Sequence, residues 1–428
     1  MRRKRKSEGG RRRPRGGGGS PQRRRHHGSF EYTFLVTVTF ALIAIGVVMV
    51  LSASWANAFF GENQDSYYYL KRELIFVAIG LVCMFGLARY NYRHLRKAAP
   101  AMMLFSLGLL VLVFLPGFGV SAKGATRWLG FGLASFQPSE FAKLAIILYV
   151  ATVIYARPQL LSSLKRMAIP VLALPMLACI LILVQPDMGT AIAIVAAVTG
   201  ILLVGGIRLR DLSVLAVVAG AAGSVFIYIE PYRLDRLTAF INPWADASES
   251  GFQIIQSLVA LGSGGLFGVG VGESIQKFNY LPEAHTDMIL SIIGEELGLV
   301  GIMVVAIAYV AFAYIGYRIA LNCCDLFGKY LAAGITTLLV SQASINFCAV
   351  MGLLPLTGIP LPMISYGGSS LVVILSSIGI LLNIAINPRG KVAATPERKF
   401  KTLKGGNRGG RDGRASGAGP GARRRAHG

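Results

Sequence analysis

The chain has 428 residues, of which 54% are hydrophobic and only 15% are charged, which excludes a soluble globular protein because that would need far more polar surface. The formal net charge of +23 lies almost entirely at the two ends: residues 1–30 hold 12 Lys and Arg against one acid, and residues 389–428 hold 12 against two. We interpret both ends as disordered basic tails that bind anionic membrane lipid, rather than as nucleic-acid-binding segments.

Repeated apolar runs fill residues 31–388, which we interpret as a single membrane domain. Each run is close to the 20 residues or so that a helix needs to cross a bilayer core. The first begins after residue 30 and is long enough to span, so no cleavable signal peptide is predicted. The sequence predicts an all-α polytopic membrane protein with about ten transmembrane helices, at residues 32–52, 73–88, 99–115, 141–155, 169–184, 189–204, 212–229, 288–317, 331–351 and 369–386.

The short loops divide into two classes by charge. Residues 89–97 contain four Lys and Arg, residues 157–166 contain three, and residues 208–210 and 318–329 contain two each. Cytoplasmic loops carry an excess of Lys and Arg, so these four loops and both tails are placed on the cytoplasmic side. That placement requires an even number of spans. It predicts a multi-pass protein of the cytoplasmic membrane with both termini cytoplasmic.

The opposite, extracytoplasmic face is predicted to carry the chemistry. It receives a large loop between the seventh and eighth helices, residues 230–286. Part of this loop, "GFQIIQSLVALGSGGLFGVG", is too apolar to be disordered, and we expect it to fold back onto the helix bundle. The glycine-rich stretch 262–272 lacks the strand and helix that flank a nucleotide-binding loop. We interpret it as a close-packed turn, with backbone contacts to phosphate as the alternative.

The stretch "LPEAHTD" places Asp287 where this polar loop becomes the eighth apolar helix. A partly desolvated carboxylate at such a boundary suits a general base, and the alternative is a helix cap formed by Thr286 or Asp287. Glu283 and His285 precede it at alternate positions. In an extended loop the three side chains could bind a divalent cation, but the spacing is a weak metal signal and no metal site is predicted.

Two further carboxylates, Glu295 and Glu296, lie inside the eighth helix, about 12 Å deeper. Ionisable groups inside a span are costly and usually mark a site or a buried pair. Lys143, three residues after Glu140 at the start of the fourth helix, is the expected cationic partner. The sequence leaves open whether this pair is part of a site or only joins two helices.

Several cations fall on the extracytoplasmic face, where the charge rule disfavours them. They suggest an anionic ligand such as a phosphate, with snorkelling at the membrane surface as the alternative. On the same face Asp187, in the turn "QPDMGT", is interpreted as the cap of the sixth helix. The cations are Arg127, Arg233, Arg236 and Lys277.

The motifs resemble those of one family. The chain carries, in family order, "RWL…QPSEFAKL", "QPDMGT", "GSGGLFGVGVGES", "LPEAHTD" and "GLLPLTGIPLPMISYGGSS". These blocks are similar to those of the FtsW/RodA/SpoVE (SEDS) family of cell-wall polymerases, and the resemblance covers about residues 31–390. The wording of "KFNYLPEAHTD" and "LPMISYGGSS" is closer to the division members, the FtsW group, than to RodA.

The resemblance implies a peptidoglycan glycosyltransferase that polymerises lipid II at the outer face of the membrane during cell division, at the septum. It implies an inverting reaction in which Asp287 is the base. It also implies four substrate-binding positions. Their own chemistry makes Glu283, His285 and the cations above further candidates. Some division members carry a Glu eight residues before the aspartate, where this chain has Asn279. The implied positions are Arg127, Trp128, Glu140 and Lys143.

The family also implies partners: a class B penicillin-binding protein, which is a transpeptidase, and other division proteins. No cofactor is predicted, and a requirement for a divalent cation stays open. Two other functions remain as alternatives. A lipid II flippase would also use buried charges and a central cavity, and a non-catalytic scaffold would recruit the transpeptidase without polymerising lipid II.

Overall fold

The computed structural model describes residues 22–60, 67–122, 125–131, 134–229, 231–249, 251–278 and 280–387. Asn279, most of the N-terminal tail and the whole C-terminal tail lie outside these ranges. The first helix begins at Gln22, within the residues predicted as tail. A helix that is already nucleated gains one hydrogen bond for each residue added, so it can extend beyond its apolar part.

The described residues form a bundle of long helices with one small sheet. The strands are β1 (Gly119–Ala122), β2 (Ala125–Phe131) and β3 (Ala134–Phe136). The helices are α1 (Gln22–Phe60), α2 (Tyr68–Arg89), α3 (Leu95–Leu112), α4 (Pro138–Ala156), α5 (Leu164–Met167), α6 (Ala173–Val184), α7 (Met188–Gly205), α8 (Leu209–Ile229), α9 (Pro231–Ile241), α10 (Phe252–Gly264), α11 (Ile289–Asn322), α12 (Leu326–Val350) and α13 (Gly368–Ile386).

The helices agree with the ten predicted spans. Among the described residues, nine helical segments are long and apolar enough to cross a membrane, α5 and α6 forming one of them through the π-helical stretch Ala168–Leu172. The tenth, α2, has 22 residues and packs along α13, but its first turns contain Lys71, Arg72 and Glu73. The predicted all-α polytopic architecture is confirmed.

Two of the four basic loops meet at one end of the bundle, since Arg93 in residues 89–97 pairs with Asp325 in residues 318–329 at 3.6 Å. At this end, called here the basic end, Arg318 of α11 pairs with Glu31 of α1 at 3.2 Å. At that end Asn383 of α13 also donates to the carbonyl of Ala88 at 2.6 Å. The opposite end, called here the site end, carries the sheet and the connections 185–187, 230–288 and 351–367.

The sheet was not predicted. Its order is β1-β2-β3 with both pairs antiparallel, and Trp128 of β2 pairs with Val120 of β1. It follows α3 directly, and α4 begins at Pro138, a residue suited to the first turn of a helix. The sheet therefore places β2, which carries Arg127 and Trp128, over the site end.

The long connection before α11 folds back onto the bundle, as predicted. The 13-residue apolar helix α10 packs against α11 and α12. The hydroxyl of Ser257 on α10 lies 2.8 Å from that of Ser291 on α11 and donates to the carbonyl of Val350 on α12. The helix α11 is interrupted at Gly298, whose φ of 67° lies in the left-handed region that favours glycine.

Candidate active site

Asp287 lies just before α11, half-buried at the site end. The hydroxyl of Thr286 is 3.0 Å from its Oδ1 and 2.9 Å from Oε2 of Glu283, and can donate to one of them at a time. Its Oδ2 faces the backbone of the loop 351–367, since a Cβ built on Gly358 would lie 3.7 Å from it. The N-cap residue of α11 is Met288, so the cap prediction for Thr286 or Asp287 gains no support.

One buried amide fixes the backbone at Asp287. Asn346 of α12 is only 2% exposed, and its Nδ2 lies 2.7 Å from the carbonyl oxygen of Asp287 and 2.8 Å from that of Ile359. The amide has two N–H groups, so it can satisfy both carbonyls. Asn346 therefore ties the segment that carries Asp287 to the loop 351–367.

Aromatic rings surround the neighbouring His285. Its ring centroid lies 4.6 Å from that of Tyr69 on α2 and 5.7 Å from that of Tyr366. The backbone N–H of Tyr366 donates to the carbonyl of His285 at 2.9 Å. Burial raises the pKa of the Tyr366 phenol to about 12, so it stays a neutral hydroxyl at physiological pH. The start of α2 and the two loops therefore meet beside Asp287.

The predicted phosphate-binding cations have different environments. Arg236 of α9 donates to the carbonyl of Leu356 at 2.9 Å, which places it on the loop that faces Asp287. The side chain of Arg233 lies outside the described residues. Lys277 is 3% exposed, pairs with Glu296 at 3.3 Å and donates to the carbonyl of Gly272. Because Lys277 is buried against a carboxylate, the geometry does not support a phosphate contact there.

Arg127 and Asp187 organise a second part of the site end. The guanidinium of Arg127 donates to the carbonyls of Gln185 and Pro186, at 2.9 and 2.5 Å. Asp187 accepts from the backbone N–H of Thr190 at 3.1 Å, which confirms the cap prediction. Its other oxygen lies 3.2 Å from both Nε2 of Gln137 and Oγ of Ser139, so the motifs "QPSE" and "QPDMGT" are joined here. Trp128 is half-buried on β2.

The prediction that Lys143 pairs with a carboxylate of the eighth helix is wrong. Lys143 and Glu140, 2% and 3% exposed, form an ion pair of 2.8 Å within the first turns of α4. Residues three apart on a helix lie on the same face, so the pair needs no second helix. Glu295 and Glu296 have other partners, described below.

Glu295 and Glu296 hold the loop before α11. Glu295 accepts from the hydroxyl of Ser274 and from the backbone N–H of Ile275 at 3.0 Å. Glu296 accepts from the hydroxyl of Ser52 on α1 at 2.6 Å, in addition to Lys277. Both carboxylates are at most 2% exposed. The two acids inside the helix therefore have partners on α1 and in the loop, while Oε2 of Glu296 makes no hydrogen bond to any residue that the structure describes.

Sequence reasoning missed Asn346, Tyr69 and Tyr366. A polar amide within the apolar run of the ninth helix was a usable signal for Asn346, because such groups inside spans usually serve a site or a buried contact. The tyrosines gave no such signal, since aromatic residues are common at membrane surfaces. Within the described ranges, no group of three or more His, Cys, Asp or Glu is arranged to hold a metal ion.

The fold is that of a polytopic membrane protein, with a candidate site around Asp287 at one end of its bundle. The family model of the cell cycle proteins FtsW, RodA and SpoVE matches residues 32–390. Stage V sporulation protein E of Bacillus subtilis (strain 168) is 42% identical over 354 residues, which cover 82% of this chain and 96% of that protein. The chain therefore belongs to the FtsW/RodA/SpoVE family.

Other relatives are similar over the same extent. The protein named "Probable peptidoglycan glycosyltransferase FtsW" in Geobacter sp. (strain M18) is 41% identical over 349 residues, covering 82% of this chain and 95% of that protein. A chain from a structure of a peptidoglycan synthase complex superposes with a TM-score of 0.67 at 27% identity, covering 83% of this chain and 97% of that one. The crystal structure of the Rod shape determining protein RodA of Thermus thermophilus gives 0.61 at 28% identity, with the same coverage.

Proposed function

We propose that the protein is a peptidoglycan glycosyltransferase that polymerises lipid II at the outer face of the cytoplasmic membrane. The observation that carries the proposal is Asp287, half-buried at the mouth of α11 and faced by the loop 351–367. Membership of the family, and relatives that carry the name peptidoglycan glycosyltransferase, support the same activity. A substrate anchored in lipid suits a site at the end of a membrane bundle.

The proposed reaction is a single displacement. Asp287 takes the proton of the acceptor GlcNAc 4-hydroxyl as that oxygen attacks C1 of the donor MurNAc. The bond from C1 to the pyrophosphate breaks, and undecaprenyl pyrophosphate leaves with the electron pair. An α-linked donor gives a β-linked product, so no covalent intermediate with the enzyme is needed. Asp287 is held for this role by Asn346, which fixes its backbone from α12.

The leaving pyrophosphate needs positive charge nearby. Arg236 is the best-placed of the predicted cations, because it is bound to the loop that faces Asp287. Arg127, Trp128, Glu283 and His285 remain proposed contacts for the rest of the substrate. Lys143 and Glu140 neutralise each other, so we assign them to the support of α4 beneath the site.

The proposed setting is the division septum, with both termini in the cytoplasm and the site end outside. The distribution of Lys and Arg among the loops supports this orientation. The proposed partner is a class B penicillin-binding protein, in line with a structural relative from a complex that couples polymerisation and crosslinking. The basic tails are proposed to bind anionic lipid.

The test uses the purified full chain in lipid vesicles, with and without the transpeptidase. Fluorescent lipid II is supplied, and two products are measured: glycan strands on gels and lipid II transferred between leaflets. The proposal predicts strands, increased by the partner. Transfer between leaflets without strands would instead establish a flippase, and neither product, with normal binding of the partner, would establish a scaffold.

A further inference from the structure

The break in α11 is filled by the glycine-rich loop that precedes it. On the helix side, the carbonyls of Glu295 and Glu296 accept from the N–H groups of Val269 and Gly270, at 3.0 and 3.1 Å. The N–H groups of Leu299 and Val300 donate to the carbonyls of residues 265 and 266, at 3.0 and 3.1 Å. The loop thus pairs four backbone groups of α11 that lose their helical partners at the break.

The loop approaches the helix too closely for side chains. A Cβ built on Gly268, whose φ is 80°, would collide with the carbonyl of Glu296. One built on Gly298 would collide with the backbone of Leu266 and of Gly268. Gly264 and Gly268 of "GSGGLFGVGVG" therefore serve close backbone contact with α11. This assigns a packing role to that part of the motif.

Side chains then fasten the loop at the same level. Glu295 binds Ser274 and the N–H of Ile275, and Glu296 binds Lys277 and Ser52. We call Lys277, Glu296, Glu295, Ser274 and Ser52 the clasp. All five are buried, with Lys277 3% and Glu296 0% exposed. The clasp joins three segments: the end of α1, the loop and the broken part of α11.

The clasp controls one end of the segment that carries the proposed base. Only nine residues separate Lys277 from Asp287. Lys277 is fixed at the level of Glu296, seven helical positions and about 10 Å from the start of α11 at Ile289. The chain between Lys277 and Asp287 must therefore climb back along α11 from a fixed starting depth. At its other end it is fixed by Asn346 and by the hydrogen bond from Tyr366 to His285.

We infer that the clasp positions the Asp287 segment for catalysis, and that Lys277 and Glu296 are positioning residues rather than substrate contacts. The inference rests on the proposed function, because it takes Asp287 as the base. A buried pair could equally serve stability alone. The positioning role and the stability role predict different results when both charges are removed together. Replacing a buried ion pair by apolar residues is often neutral for stability. Misplacing a catalytic group by about 1 Å, in contrast, can lower the rate by about 10²-fold.

The test compares full-length wild type with the double variant Lys277→Met with Glu296→Leu. Thermal unfolding, kcat and KM for lipid II polymerisation, and hydrogen exchange of residues 277–287 are measured. We expect a near wild-type unfolding temperature, kcat lower by about tenfold or more with KM changed by less than about twofold, and faster exchange in 277–287. Unchanged kcat and unchanged exchange in the folded variant would overturn the inference.

Two further variants keep the test decisive if the double variant does not fold. Ser274→Ala removes one donor of the clasp and should lower kcat and speed exchange in 277–287, while Lys277→Arg, which retains the ion pair, should leave both close to wild type. If Ser274→Ala leaves both readouts unchanged, the inference fails. The control is Glu31→Leu with Arg318→Met, which removes an ion pair at the basic end and should alter neither readout. Exchange is independent of turnover, so it tests the clasp even if Asp287 is not the base.

Discussion

Two buried asparagines allow the role of Asn346 to be separated from its contribution to stability. Asn346 binds two backbone carbonyls at the site end, those of Asp287 and Ile359. Asn383 makes two backbone hydrogen bonds at the basic end, donating to Ala88 and accepting from Tyr92 at 2.6 and 3.2 Å. Both side chains are 2% exposed. Substitution by Ala removes two hydrogen bonds in each case, at opposite ends of the bundle.

The expected stability losses are similar. A hydrogen bond contributes about 0.5–1.5 kcal/mol net, so each Ala variant should lose about 1–3 kcal/mol, with a further contribution from the cavity. The catalytic effects should differ, because only Asn346 holds the segment of Asp287. A shift of that carboxylate by a fraction of an ångström to 1 Å should lower kcat by about 10- to 10²-fold. Asn383→Ala should keep a kcat close to wild type.

The assay measures the rate of glycan strand formation from lipid II by purified protein with its transpeptidase, at several lipid II concentrations. Thermal unfolding of each variant gives the stability on the same samples. A loss in kcat for Asn346→Ala at a stability matched by Asn383→Ala would support the positioning role. Equal activities of the two variants at equal stability would refute it, because the effect would then follow stability alone.

Three other predictions concern the rest of the fold. Lys143→Ala should destabilise the protein by about 3–5 kcal/mol in thermal unfolding, because Glu140 is left buried and unpaired. Adding Glu140→Leu should recover most of the loss. A Lys143→Ala variant as stable as wild type would contradict this prediction. Arg127→Gln should lower the rate of polymerisation and speed hydrogen exchange in the turn at Gln185 and Pro186, whose carbonyls Arg127 binds. Unchanged exchange in that turn would contradict the prediction. Cysteines at Ser248 and Ser416 should label from opposite sides of the membrane, and labelling from one side would refute the proposed orientation.

The helices and their grouping could be predicted from the sequence because both depend on local properties. Hydropathy over about 20 residues sets each span, and the Lys and Arg of four loops set which loops share an end. The contact between Arg318 and Glu31 is a consequence of that grouping. The predicted spans differ from the helices mainly at their ends, where helices continue beyond the apolar core, as α1 and α11 do.

Partners between distant residues could not be predicted, because the sequence contains no distances. Lys143 was assigned a partner on another helix, yet Glu140 is available one turn away. Lys277 was interpreted as a phosphate ligand because it lies in an extracytoplasmic loop, and its burial becomes visible only once the loop is placed in the break of α11. The break in α11 could not be predicted, because Gly298 lies within an otherwise regular apolar run.

The candidate site was predicted in part. Asp287, Glu283 and His285 were singled out by their position before an apolar helix, and the structure places them together at the site end. Asn346 and Tyr366 come from helices and loops far along the chain, so only the fold brings them to Asp287. The small sheet was missed because its strands, of four, seven and three residues, lie in a glycine-rich stretch.

The central claim is that Asp287 is the general base, and the direct measurement is strand formation from lipid II by Asp287→Asn. Asparagine keeps the size of the side chain and an oxygen that accepts from Thr286, but it is not basic. Asp325→Asn, the same change at the basic end on a carboxylate that accepts from the hydroxyl of Tyr92, is the matched control. The account predicts that Asp287→Asn folds, binds the transpeptidase and polymerises about 10²-fold more slowly or worse, while Asp325→Asn stays active. An Asp287→Asn protein that polymerises at the wild-type rate would contradict it.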